Sequence, residues 1–517
     1  MRREDRQNNR ETLEMELQLL PPSLLLAFLF LLAIKFLLKS RRSDSKLRQV
    51  LSPEPPLPPG PWRLPLVGHL HHLVGKPTHR LLRDLAAVHG PVMLLKVGQV
   101  DVVVVSSTAA AEAVVKTHDV NCGNRPEVAV ARIVGYGCTD IAFSSYGPYW
   151  RQMKKVCIVE MLSARRVKSF AAVRERNILD LTRNMSTGSP VNVSEKFMTL
   201  SSNIITESSV GKIYDGFLPV VRELMETLTG FSIVDSFPSW KFLDVITGTT
   251  SRFWQIRRRL DKIMNEIIKH HQTEKKSNQS EEDLIDVLLR IKEQGDLEIP
   301  ITLDNVKACI VDMFVGGTDT TATTLEWAMS ELMRNPEVMN KAQIEVRESL
   351  KGKARVEDGD VEKLSYLKMV IKETLRLHAP IPLLLPRMAK QSCEVMGFKI
   401  PEESRVLINA WAMGRDPEYW EDAESFWPER FAGIETDYKG TYLEYVPFGS
   451  GRRLCPGYQF AMATMELALA QMLLCFDWEL PGGMRPEELN MEEMSGSTAS
   501  RKSALWLTAT ARFPPPA

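Results

Sequence analysis

The sequence predicts a mainly α-helical protein with small β-sheets, preceded by an N-terminal transmembrane anchor helix. Three observations carry this. Apolar residues recur with helical spacing over most of the chain beyond residue 144. The β-branched, strand-like runs are few and short. Near the N-terminus, an apolar run from Leu24 to Ile34 continues past Lys35 to Leu38. Counted from Leu17, that stretch has the roughly 20 residues needed to span a bilayer.

Lys39, Arg41, Arg42, Lys46 and Arg48 follow the run directly, which places the downstream chain on the cytosolic side. A cleaved signal peptide would carry a basic region before the apolar core and a small-residue cleavage site after it. Here the first 14 residues carry charges of both signs, the basic excess follows the core, and no clear cleavage site does. The expected organisation is an N-terminal extension (1–16), an anchor (17–38), a basic and proline-rich hinge (39–61) and a catalytic body (62–517). Pro53, Pro55, Pro56, Pro58, Pro59 and Pro61 make the end of the hinge stiff and extended.

Within the body, residues 92–105 are β-branched around Gly98-Gln99 and read as a hairpin. Helices are expected over 144–185, 218–230, 248–275, 281–294, 302–350, 362–378 and 457–475. Short strands are expected near 381–388, 394–400, 404–408 and 503–513, and a polar loop over 275–282. The 65 basic and 65 acidic residues cancel, so no global charge points to nucleic acid. Seven cysteines without CxxC pairing or zinc spacing fit free thiols in a reducing compartment. His69, His71 and His72 cluster without further ligands at metal spacing.

The chemistry concentrates in residues 447–457, Pro-Phe-Gly-Ser-Gly-Arg-Arg-Leu-Cys-Pro-Gly. A lone iron-binding thiolate needs small neighbours, so that backbone passes close to a flat macrocycle, and N–H groups aimed at the sulfur. Cys455 stands in such a setting, between Phe448, Gly451, Arg453 and Gly457. Arg453 has the reach and the fork to pair with a carboxylate of the macrocycle. The competing reading is a buried structural cysteine in a Gly-rich turn.

A second cluster, Gly316-Gly317-Thr318-Asp319-Thr320-Thr321, lies inside a helical pattern. Two interior glycines cost roughly 1 kcal/mol each against alanine and call for a reason. They let a helix pass close to a flat ligand. The Thr320 hydroxyl can bond the Gly316 carbonyl one turn back, and Asp319 beside it supplies an acid for moving protons. Thr-Asp-Thr-Thr could instead start a helix. Glu373 and Arg376 share a helix face, and Pro428-Glu429-Arg430-Phe431 follows upstream of Cys455.

Together these motifs resemble the cytochrome P450 superfamily, in order and spacing, over nearly the whole chain. The cysteine segment matches its haem-thiolate loop, the second cluster its A/G-G-x-D/E-T-T/S oxygen-activation motif, and Glu373 with Arg376 its ExxR pair. The resemblance implies a cytochrome P450 fold enclosing haem b, with Cys455 as the iron ligand and Thr320 and Asp319 as the catalytic pair. It implies that Glu373, Arg376 and Arg430 brace the haem loop. Trp150 opens a segment where the family has WxxxR, but Lys154 stands in place of the arginine. Trp150, Lys154 and Arg387 are the further expected contacts to the haem propionates, with Phe448, Arg453 and Gly457 also against the cofactor. Val315, Gly316, Ile381, Leu383 and Met494 are expected in the substrate pocket, within segments 121–142, 379–385 and 494–498.

The closer likeness is to plant microsomal enzymes of the 71 clan, carried by residues 329–336 and 366–376, and several stretches resemble grass diterpenoid oxidases. The implied activity is a haem-thiolate monooxygenase that uses O2 to hydroxylate an apolar specialised metabolite, a diterpenoid being the expected class. Other terpenoids, phenylpropanoids or flavonoids and indole-derived compounds stay open, as does a haem-thiolate isomerase or dehydratase. The chain has no dinucleotide motif. Electrons are therefore expected from NADPH through cytochrome P450 reductase, with cytochrome b5 as a second donor, docking near Lys154, Lys155 and Arg452. The expected location is the endoplasmic reticulum membrane, single-pass, with the body in the cytosol.

Overall fold

The computed structural model describes residues 54–228, 231–273, 282–434 and 436–512. The expected anchor and N-terminal extension lie outside the described residues. Among the described residues, no helix is long and apolar enough to cross a membrane.

Residues 54–61, the described part of the expected hinge, are docked on the body. The Pro59 carbonyl accepts from Leu94 N at 2.9 Å, and the Pro56 carbonyl from Lys399 N at 2.8 Å. Gly60 permits this approach, since a Cβ there would lie 2.4 Å from the Leu94 carbonyl oxygen.

The longer helices are α1 (Thr78–His89), α2 (Pro148–Val156), α3 (Ala171–Arg183), α4 (Val193–Val210), α5 (Phe217–Thr227), α6 (Thr249–Thr273), α7 (Leu284–Gln294), α8 (Leu303–Arg334), α9 (Pro336–Ser349), α10 (Ser365–Leu377) and α11 (Tyr458–Cys475). The helix expected over 302–350 is two helices. Its break falls at Asn335-Pro336, where Asn335 leaves helical geometry (φ −121°, ψ 78°) and Pro336 opens α9. The helix expected over 144–185 is likewise broken, because Ser163 is extended and a wide turn over Cys157–Met161 follows α2.

The hairpin forms as expected, β1 (Val92–Val97) pairing antiparallel with β2 (Val100–Val105). It joins β4 (Arg387–Met388) and β7 (Arg405–Ile408) in a sheet of order β1-β2-β7-β4. The strand expected over 381–388 shrinks to two residues, because Pro380, Pro382 and Pro386 remove ladder donors. Between β4 and β7, β5 (Cys393–Val395) and β6 (Phe398–Ile400) form a separate hairpin. A third sheet pairs β9 (Trp506–Ala511) with β3 (Pro190–Asn192) and β8 (Phe476–Glu479).

The main core gathers around α8 and α11. Almost every side chain of α11 from Leu467 to Cys475 is buried, as expected of a helix apolar all round. Thr302 caps α8 through a capping box with Asn305, so the helix begins at Leu303, thirteen residues before Gly316. The alternative that Thr-Asp-Thr-Thr starts a helix is excluded.

Candidate functional site

The cysteine loop takes its shape from glycine. Gly449 (φ +75°) and Gly451 (φ +67°) occupy left-handed backbone. A Cβ on Gly451 would also lie 2.6 Å from the Val115 carbonyl oxygen. The loop closes with Cys455 N donating to the Phe448 carbonyl at 2.9 Å. Burial raises the Cys455 thiol, while the Gly457 N–H and the Lys154 charge oppose that shift by favouring the thiolate.

Opposite the loop, α8 presents Val315, Gly316, Asp319 and Thr320. These residues, Ile381, Leu383 and Cys455 line one continuous cavity of about 750 Å³. The Thr320 hydroxyl donates to the Gly316 carbonyl at 2.5 Å, as expected. Asp319 is buried and its Oδ2 has no partner within the protein. Burial pushes its carboxyl up to about 6, against a contact with the Thr498 hydroxyl.

The two glycines differ in purpose. A Cβ on Gly317 would lie 2.4 Å from Ile205 Cδ1 on α4, so Gly317 lets two helices cross closely. A Cβ on Gly316 would meet nothing within 4 Å, so this glycine keeps the cavity wall open.

Glu373, Arg376 and Arg430 meet in the interior. Arg376 is forked on Glu373 through Nε and Nη2, both at 2.7 Å. Arg430 Nε donates to Glu373 Oε1 at 2.9 Å, and Trp427 N to the same oxygen at 2.8 Å. Arg376 Nη1 also donates to the Gly414 and Ala423 carbonyls. Glu373 is fully buried, so this is not the solvated surface pair that spacing alone allows. From the residue beside Glu373, the Lys372 carbonyl accepts from the Tyr445 hydroxyl at 3.1 Å, three residues before Phe448.

At one end of the cavity stand Trp150, Arg387, Arg453 and Phe448. Arg453 donates to the Gly123 and Ser144 carbonyls and lies 4.3 Å from the centre of the Trp150 ring. Arg387 is bound to Asp119 Oδ1 at 2.8 Å and to the Ser450 carbonyl. Lys154 lines the cavity and donates its ammonium to the Arg452 and Leu454 carbonyls, so it clamps the cysteine loop. One expectation needs correction. Met494 is 49% exposed and faces away from the cavity, which Gly496, Ser497 and Thr498 line in its place. The cause is local, as Met494 N pairs with the Ser500 carbonyl and turns the loop.

Two residues escaped the sequence reading. Arg125 is buried against the cavity and donates to the carbonyls of Ala142, Leu385 and Pro386. Burial lowers its pKa, and the charges of Arg453 and Arg387 add to that. Asp312, one turn before Gly316, accepts from Ile141 N and Ala142 N. Burial and Asp140 raise its carboxyl. The Asn-Arg-Pro and Val-Asp-Met settings of these residues carry no sequence signal of such contacts.

The residues present fit haem. Two buried arginines, Arg125 and Arg387, and the half-buried Arg453 crowd one end of a largely apolar cavity. Asp119 is committed to Arg387, and burial lifts Asp140 to about 7, so positive charge is in excess there. That excess suits the carboxylate edge of a flat, apolar ligand, and Cys455 offers the sulfur donor beneath it.

The protein-family model for cytochrome P450 matches residues 58–506. Premnaspirodiene oxygenase of Hyoscyamus muticus is 46% identical over 498 residues, covering 94% of this chain and 98% of that protein. Cytochrome P450 71D7 of Solanum chacoense is 44% identical over 510 residues, covering 96% and 100%. The 5-epiaristolochene 1,3-dihydroxylase of Nicotiana tabacum is 44% identical over 500 residues, covering 94% and 98%. Among solved structures, a zebra fish cytochrome P450 with progesterone shares the fold, with a TM-score of 0.74 at 22% identity over 85% of this chain and 100% of that one. The thiol loop, the cavity and these matches converge, and the chain belongs to the cytochrome P450 family as a haem-dependent monooxygenase of the plant 71-clan type.

Proposed function

We propose that the enzyme inserts oxygen from O2 into a terpenoid, with a diterpenoid as the specific class. The observation that carries this reading is the cavity above Cys455. Its lining includes the apolar side chains of Leu224, Phe231, Phe253, Val315, Ile381 and Leu383, which suits a bulky, rigid, largely hydrocarbon substrate. The names of two relatives, premnaspirodiene oxygenase and 5-epiaristolochene 1,3-dihydroxylase, support it, since both describe oxygen added to an unsaturated hydrocarbon.

Haem, when bound, supplies the reduction of O2 and the transfer of one oxygen atom to a C–H bond. In this reading Cys455 would be the iron ligand, with the Gly457 N–H and the Lys154 charge favouring its thiolate against the effect of burial. Arg125, Arg387 and Arg453 would balance the propionates, and Trp150 and Phe448 line the same cavity. Asp319 Oδ2, which no protein group occupies, is the atom on which a proton would be held. A carboxyl near 6 exchanges that proton readily around neutral pH. The Thr320 hydroxyl, held by Gly316, is the neighbouring donor. Glu373, Arg376 and Arg430 hold the loop and touch no reacting atom. Electrons arrive from NADPH through a separate reductase that docks on the exposed Lys155 and Arg452. Residues 17–38 tether the body to the cytosolic face of the endoplasmic reticulum.

The test is a membrane preparation given reductase, NADPH and labelled O2 with a panel of terpenoids and phenylpropanoids. Label in a diterpenoid product is the expected result. Turnover confined to phenylpropanoids overturns the substrate class, and a rearranged product without label overturns oxygen insertion.

A further inference from the structure

Two loops meet behind the arginine end of the cavity. Residues 118–124 run beside residues 388–394, pinned by Met388 N on the Asn124 carbonyl and Lys390 N on the Asn121 carbonyl, both at 2.9 Å. Asn121 also exchanges two side-chain bonds with the Gln391 backbone, at 2.8 and 2.9 Å. His118 Nε2 closes the far end on the Glu394 carbonyl at 2.8 Å. These bonds bracket one side-chain pair. Cys122, fully buried, belongs to an apolar cluster against which Cys393, half-buried at the start of β5, also packs.

We infer that Cys122 and Cys393 are a redox-active pair, oxidised by hydrogen peroxide to a reversible disulfide. The backbone bonds already hold the two cysteine-bearing segments side by side, which is the precondition for a bridge. The reactivities are asymmetric. The Cys122 S–H donates to Cys393 and lowers its pKa, with Asn121 and the nearby His118 in support, while the same contact raises Cys122. Cys393 is therefore the attacking thiolate and Cys122 the resolving thiol.

The step balances. The Cys393 thiolate attacks one peroxide oxygen, the O–O bond breaks, and the departing hydroxide takes a proton to become water. The Cys122 sulfur then attacks the Cys393 sulfenic acid and expels its hydroxyl, which leaves as water with the Cys122 proton. Two thiols are oxidised and one peroxide is reduced to two waters. The bridge would fix the segment that presents Asp119 to Arg387 and the Gly123 carbonyl to Arg453.

A second thiol pair provides an internal control. Cys157 and Cys309 lie 3.4 Å apart, but both are fully buried and burial raises Cys309. This pair stays reduced.

The test treats folded holoenzyme with a few equivalents of hydrogen peroxide, alkylates free thiols, and maps tryptic peptides by mass. Expected is a linked species of peptides 117–132 and 391–399, lost on reduction, with Cys157 and Cys309 alkylated only after unfolding. In Cys122→Ser, Cys393 should stop at the sulfenic acid, trapped by a dimedone-type probe, and no linked species should form. Both thiols remaining free in the wild type overturns the proposal. So does over-oxidation of Cys393 with Cys122 still free, or a bridge at Cys157 and Cys309 first.

Discussion

Replacing Glu373 with Gln tests the brace beneath the cysteine loop. The carboxylate receives four hydrogen bonds, two from Arg376, one from Arg430 and one from Trp427 N. Glutamine keeps one acceptor oxygen and turns an NH2 toward buried guanidinium donors, so two buried cations lose their counter-charge. Breaking a buried pair by removing one partner costs about 3–5 kcal/mol. A body of this size has an unfolding entropy of about 1 kcal/mol per kelvin, so Tm should fall by about 3–5 °C. The assay is thermal unfolding of the holoenzyme, with the carbon-monoxide difference spectrum recorded in parallel. The thiolate-type Soret band should shrink in proportion to total haem loss, because Tyr445 couples α10 to the loop. Substrate affinity of the surviving fraction should not change, since none of the three residues lines the cavity. A Tm shift below about 1 °C would refute the reasoning, as would a normal thiolate band at full occupancy with turnover lost. The first outcome would make the network a weak solvated pair, and the second would give Glu373 a role in the chemistry.

Asp319→Asn should separate stability from function. The folded carboxyl titrates near 6 against a usual 3.8, so the native state binds the extra proton and Asp319 loses stability as pH rises from about 4 to about 6. Asparagine removes that penalty, a gain of up to about 3 kcal/mol at neutral pH that should be absent at pH 4. Denaturant midpoints at the two pH values check it, and product formation should fall while peroxide release rises. Gly317→Ala should cost about 1–3 kcal/mol by pushing Ile205, and Ile205→Ala in the same chain should recover part of it, measured by Tm. Lys154→Ala should release the two loop carbonyls and speed haem transfer to an apo-acceptor protein by about tenfold, with little effect on substrate binding. Arg125→Ala should weaken haem retention more than Lys154→Ala, because its charge faces the cofactor edge with few acids nearby.

What was legible in the sequence follows from how far each residue's partners lie along the chain. Thr320 bonds a carbonyl four residues away and Arg376 a carboxylate three away, so spacing alone showed both. The breaks at Pro336 and in 380–386 were equally local and marked by prolines, yet the expected helix over 302–350 and strand over 381–388 ran through both. Arg125 reaches carbonyls about 260 residues on, and Asp312 amides about 170 residues back. No window of sequence holds both partners of such bonds. The substitution of lysine at position 154 was visible, but its consequence depended on where folding leaves the Arg452 and Leu454 carbonyls.

The paired glycines mark the boundary most sharply. Sequence presents Gly316 and Gly317 as one signal, two costly residues in a helix that call for one explanation. The structure supplies two, because adjacent helical positions point about 100° apart. Gly317 faces α4, where the Ile205 side chain would strike any Cβ, while Gly316 faces open cavity. One glycine sets how closely two helices cross and the other how much room lies above Cys455. A motif read as chemistry is thus half packing. Substituting each glycine by itself should therefore give opposite signatures, Gly317→Ala lowering Tm and Gly316→Ala shifting substrate affinity without lowering it.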